Sequence, residues 1–217
     1  MKLLATAALT LSLFTGASFA EDMSANSSLL DIQHRWAQAN YQLEDEKEKI
    51  AAFEKLIADA ENLTQQSPEN AEYWIWLGIS KSTFAGVKGG LGALGYAKEA
   101  KKALEKALEL DPQALNGSAY TSLGTLFHKV PGWPIGFGSD KKAEKMLKKA
   151  LEINPNGIDP NYFYGEFLYN DGEYQAAKKH LMMAKAAAPR PTRPLADSGR
   201  QEEIDALMRK LQKKLNR

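Results

Sequence analysis

One spacing recurs along this chain and constrains its fold more than any other feature. It is clearest in Asn161, Tyr164, Gly165, Leu168, Ala177, Leu181, Ala184 and Pro189. Tyr164 and Leu168 are four residues apart, and Ala177, Leu181 and Ala184 follow at four and three, so each set marks one face of a helix. A glycine on the first face opposite alanines on the second lets two helices cross closely, where a bulkier residue would force them apart. Pro189 then ends the pair, because proline cannot donate the backbone hydrogen bond that continuation needs.

Two further segments repeat the pattern. Pro112 is preceded by Ala100, Leu104 and Ala107, and Pro155 by Ala143, Leu147 and Ala150, at identical offsets. Their first-helix halves are Trp74, Leu77 and Gly78, and Tyr120, Leu123, Gly124 and Phe127. A weaker copy, Trp36, Ala39, Asn40, Leu43, Ala52 and Leu56, leads to Pro68. This is the tetratricopeptide skeleton. It predicts an all-α, right-handed solenoid of four antiparallel helix pairs, at about 28–68, 71–112, 116–155 and 159–189. The closing prolines are 44, 43 and 34 residues apart, so two units carry insertions of about 7 to 10 residues relative to a 34-residue repeat. The alternating prolines after Pro189 make an extended strap. Asp197 or Ser198 is then expected to cap a final helix over 198–217, with Ile204, Leu207, Met208, Leu211 and Leu215 covering the last repeat.

Residues 1–20 read as an export signal. Lys2 precedes an apolar run from Leu3 to Phe14, and Ser18 and Ala20 are small residues at the positions that a signal peptidase reads. Cleavage is expected before Glu21, giving a periplasmic protein with no membrane span. The sequence has no cysteine, which removes both a disulfide framework and a lipobox. Without Lys2 the basic and acidic side chains balance at 27 each, which argues against general affinity for nucleic acid. The charges are uneven, however. Residues 21–75 hold 12 acidic and 4 basic side chains, and residues 190–217 hold 4 acidic and 8 basic. Head-to-tail association of copies into a homo-oligomer is one reading of that asymmetry, and solvated helix faces are the other.

In such repeats the first helices line a concave groove. Their inward positions give Tyr41, Ser82, Thr121, Thr125, His128, Tyr162, Glu166 and Tyr169 as candidate groove residues, a mixed polar and aromatic wall suited to a partner loop or peptide. The two insertions differ in character. Phe84–Tyr96 carries five glycines but lacks the strand that a dinucleotide-binding loop requires, so it reads as a flexible or closely packed helix extension. Val130–Gly138 is apolar for a loop, and Trp133, Ile135 and Phe137 are expected either to form a satellite core or to act as the lid of a binding site.

Catalytic patterns are absent. His34, His128 and His180 fall in separate repeats with no metal-ligand spacing around them. Asn116-Gly117-Ser118 lacks the second glycine of a nucleophile elbow. His128 and Glu166, on adjacent first helices, are the one pair that could meet. No enzyme activity, metal or cofactor is expected.

The segment Ala114–Pro160, including KVPGWPIGFGSDKKAEKMLKKALEINPNGIDP, and the tail PRPTRPLADSGRQEEI resemble periplasmic tetratricopeptide proteins related to the T component of tripartite ATP-independent periplasmic (TRAP) transporters. The resemblance implies a non-enzymatic interaction scaffold whose partner is another periplasmic protein, such as a solute-binding protein. The second reading is a carrier of a small apolar ligand in a cavity closed by the Trp133 loop. Members of that family are typically lipoproteins, and a chain without cysteine departs from them there.

Overall fold

In a computed structural model the described residues, 16–216, form helices and connecting loops only. The expected leader lies outside them up to residue 15, and its last five residues fall within the first helix. The helices are α1 (Gly16–Tyr41), α2 (Glu46–Gln66), α3 (Ala71–Lys88), α4 (Gly90–Leu110), α5 (Ala114–Lys129), α6 (Asp140–Ile153), α7 (Ile158–Asn170), α8 (Tyr174–Lys185) and α9 (Pro194–Leu215). They pack as the pairs α1/α2, α3/α4, α5/α6 and α7/α8, and α1, α3, α5 and α7 also touch in succession. The first helices therefore form one wall and the second helices the outer layer. No described helix is long and apolar enough to cross a membrane.

The pair signature works as its chemistry demands. A methyl group on Gly78 would stand 2.5 Å from Leu104 Cγ, and one on Gly124 would stand 2.6 Å from Leu147 Cγ. Gly165 faces Leu181 in the same way, at 3.0 Å. Ala100, Leu104, Ala107, Ala143, Leu147, Ala150, Ala177, Leu181 and Ala184 are all buried. Asp45, Asn70 and Ser139 cap α2, α3 and α6 by accepting from backbone N–H groups. Pro68, Pro112 and Pro155 each follow directly on a helix C-cap residue.

The glycine-rich insertion is absorbed as helix. It lengthens α3 to 18 residues and α4 to 21, against 13 and 12 for α7 and α8. Gly89 and Gly90 turn the chain with φ of +59° each, a conformation that a Cβ would strain. Close packing is not the reason for its glycines, since nothing lies within 4 Å of a methyl group on Gly86, Gly89, Gly90 or Gly95. Phe84 and Tyr96 instead close the hairpin edge to face at 4.7 Å, with Lys88 Nζ over both rings.

In the last repeat Asn161 is fully buried. Its amide nitrogen donates to the carbonyls of Pro155 and Gly157 at 2.8 and 3.0 Å, leaving its oxygen to accept from His180 Nδ1 at 3.0 Å. Burial, with Lys179 nearby, lowers the His180 pKa. Below about 6.5 the unfolded chain takes up a proton that the native imidazole resists. His180 thus contributes stability above that pH and loses it as the pH falls through the lower, folded value. Urea midpoints measured between pH 7.5 and 5 should fall for the native protein, and the slope should flatten in His180→Gln.

Candidate functional site

The wall made by the first helices does not face open solvent along its length, because the C-terminal segment folds back across it. The helix α9 packs on α7 and α8 and also reaches α1, the first helix of the described chain. The strap leading to it passes His34, whose Nε2 meets Thr192 O at 2.6 Å. A methyl group on Gly199 would stand 2.4 Å from the Tyr41 ring, so α9 can lie this close to α1 only with glycine there. The final helix begins at Pro194, not at 198, because Pro194 occupies the first helical position, where the missing N–H costs nothing. Asp197 is inside that first turn and does not cap it. Its carboxylate accepts from the Arg190 backbone N–H and Nε, both at 2.6 Å.

The join is made by charged groups. Asp159, on α7, accepts from Arg190 Nη1 at 2.7 Å and from Arg200 Nε at 2.9 Å. Arg200 is 7% exposed, pairs further with Glu203, and lies 4.5 Å from the Tyr162 ring and 4.4 Å from that of Phe163. Burial alone would raise the Asp159 pKa, but Arg200, Arg190 and Arg193 outweigh it and hold the carboxyl well below the usual range. The same burial pushes the Tyr41 hydroxyl up to about 12, against the pull of Arg200, and raises Tyr162 as well.

Between this junction and the repeats lies a cavity of about 230 Å³, lined among others by Trp36, Tyr41, Trp76, Ser82, Thr121, Thr125, Lys129, Phe163 and Arg193. Of the candidate groove residues, Tyr41, Ser82, Thr121 and Thr125 line it. Tyr162 is buried under Arg200. The other three stand away from it. His128 donates through Nδ1 to Asp140 at 3.0 Å and accepts at Nε2 from Asn170 at 2.9 Å. Glu166 pairs with Lys129 at 2.7 Å, and Tyr169 packs against Tyr174 at 5.8 Å. His128 and Glu166, the one pair that could have met, are thus each held by a different partner.

The Trp133 loop is not a lid. None of its residues lines the cavity, and Trp133 and Ile135 are 90% and 70% exposed. Only Phe137 turns inward, edge to face with Phe127 at 5.9 Å. The loop is held at its base by hydrogen bonds from Gly138 N to Pro131 O at 2.9 Å and from Ser139 N to Phe127 O at 2.8 Å. Gly136 and Gly138 press so closely on the Val130–Pro131 backbone that no side chain fits at either.

Sequence reasoning missed the arginines of the strap and of α9, and it missed Trp76. The strap was legible as extended chain, but its arginines became groove residues only through a fold-back that has no local signature. The available signal was Asp159, an acid at an inward position of the last repeat's first helix. Trp76 sits two residues beyond the aromatic that set the repeat register, outside the inward positions which that register assigns.

Two tetratricopeptide-repeat family models match the chain, over residues 141–211 and 91–114. Among solved structures, a thermophilic tetratricopeptide protein of Thermus thermophilus aligns with 88% of this chain and 95% of its own, at 16% identity and a TM-score of 0.56. MamA aligns with 79% of this chain and 94% of its own, at 20% identity and a TM-score of 0.45. No curated protein matches. The chain carries tetratricopeptide repeats and folds as a tetratricopeptide solenoid, a class that generally mediates protein–protein interaction. No group of three or more side chains able to hold a metal ion occurs among the described residues.

Proposed function

We propose that this protein is a non-enzymatic interaction scaffold that engages its partner through the Trp133 loop and the adjoining face of the third repeat, in place of an open groove. One observation carries this reading: Trp133 and Ile135 stand 90% and 70% exposed on a loop whose base is locked to α5. A large aromatic and a β-branched residue presented to water on a fixed platform are the ingredients of a protein-binding anchor. Preorganisation lowers the ordering cost of binding. The second reading, an apolar ligand sealed beneath this loop, is not favoured, because none of the loop's residues lines the cavity described above.

The finer description follows from the leader at 1–20 and from the family resemblance of Ala114–Pro160 and Pro189–Ile204. On that basis the scaffold is periplasmic, and its partner is another exported protein such as a transporter's solute-binding component. A photoreactive amino acid at Ile135, activated in intact cells, should capture that partner. With the purified pair, Trp133→Ala should weaken binding by roughly 30-fold or more, a loss of about 2 kcal/mol. The stability of the scaffold should change by no more than about 0.5 kcal/mol, as expected for an exposed site. Unchanged affinity in Trp133→Ala would overturn the loop as the contact.

A further inference from the structure

The cavity contains a cation that makes no direct ion pair with any carboxylate among the described residues. The Arg193 guanidinium lies 4.9 Å from the Trp76 ring centroid. Among the described residues the nearby acids are committed elsewhere: Asp159 to Arg190 and Arg200, Asp197 to Arg190, Glu203 to Arg200 and Glu166 to Lys129. Arg193 forms no ion pair among them. Its Nε is buried without an acceptor, and so is the indole Nε1 of Trp76, a residue only 3% exposed. Each buried donor left unsatisfied costs about 1–3 kcal/mol. Two of them, on side chains that adjoin at 4.9 Å, belong to residues that line the same cavity.

The rest of the lining narrows the chemistry. The hydroxyls of Ser82, Thr83, Ser118 and Thr125 donate to carbonyls three or four residues back on their own helices, so they have no proton to offer. Of the lining side chains, the Arg193 guanidinium and the Trp76 indole carry the buried donors without an acceptor. Trp36, Ile79 and Phe163 supply apolar surface beside them. Burial first, then the like charge of Arg190, lower the Arg193 pKa to about 10, against a weaker upward pull from Asp159 and Asp197. A volume of about 230 Å³ exceeds the roughly 150 Å³ that accepts benzene and is too small for a folded partner or a helix.

We propose that this cavity is a binding site for a small monocarboxylate. Its carboxylate accepts from Arg193 and from the Trp76 indole N–H, and its apolar body lies among Trp36, Ile79 and Phe163. One unpaired cation beside one neutral donor suits a single negative charge, and a planar guanidinium matches a carboxylate in shape. This site is separate from the Trp133 loop in place and chemistry, so it stands or falls independently of the contact proposed there.

The four tryptophans give four indole N–H signals in a ¹⁵N spectrum, and Trp76→Phe assigns the one that matters. Hexanoate should shift the Trp76 signal saturably and leave Trp133 unmoved, with hexan-1-ol and hexylamine at least ten-fold weaker. Arg193→Gln should cut hexanoate affinity ten-fold or more without changing the response to hexanol. The comparison of hexanoate with hexanol on the native protein decides the matter even if the variant folds poorly. Equal responses to acid and alcohol, or no saturable shift with hexanoate, would overturn the site. An acetylated hexapeptide with a free terminal carboxylate that bound more tightly than hexanoate would overturn its assignment to a small molecule.

Discussion

Replacing Asp159 with alanine should lower stability by about 3–5 kcal/mol, the usual consequence of stranding a buried charge. Arg200, 7% exposed, would lose its Asp159 oxygen at 2.9 Å, and Arg190 would lose one of its two carboxylates. At about 2–4 °C per kcal/mol for a chain of this size, the melting temperature should drop by roughly 6–20 °C. A double variant, Asp159→Leu with Arg200→Met, should recover part of that loss, because removing both charges leaves neither stranded. A drop below about 1 kcal/mol in Asp159→Ala would show that the charged junction does not hold α9 in place. The pH dependence has a definite sign. The folded-state pKa of Asp159 is depressed, so its contribution is complete above the unfolded value of about 3.9 and is lost as acid takes the pH down through the lower, folded value.

Two glycine-to-alanine changes should move stability in opposite directions. In Gly124→Ala the new methyl meets Leu147 Cγ at 2.6 Å and the Ala143 carbonyl oxygen at 3.2 Å. Leu147 is 1% exposed and has no room to withdraw, so overpacking should cost about 1–3 kcal/mol. Gly95 lies within α4 with nothing within 4 Å of its missing methyl, so Gly95→Ala should gain about 0.5–1 kcal/mol in helix propensity. Paired thermal melts of the two variants test the argument. A neutral Gly124→Ala would mean that the helices of the third repeat can part without penalty.

The helix pairs could be read from sequence because their determinants are local: a glycine facing a leucine one helix away, alanines on the opposing face, a proline after each pair. The glycine-rich stretch was legible as an extension of helix, but not as the hairpin turn at Gly89 and Gly90. Whether its glycines pack or merely turn depends on what lies opposite, and only Gly89 and Gly90 need their positive φ. The Trp133 loop shows the limit of hydrophobic reasoning. The expectation that water would not favour exposing three large apolar residues holds for Phe137 and fails for Trp133 and Ile135. The site depended on an event without any local trace. Arg190, Arg193 and Arg200 are remote in sequence from Trp36 and Trp76, and only the return of α9 to α1 brings them together. The same return brings the basic C-terminal segment against the acidic segment 21–75 within one chain, as an alternative to the head-to-tail association that the charge asymmetry suggests.

That return also fixes how many units the molecule can contain. An open solenoid tolerates the gain or loss of a unit, since each touches only its neighbours and the ends are free to fray. Here the final helix must land on the first with Gly199 against the Tyr41 ring and the strap against His34. Deleting a repeat, or duplicating one, would change the circumference and carry α9 past its seat. The repeat number is thus counted by the fold itself, and the outermost units, ordinarily the first to open, are clasped to each other.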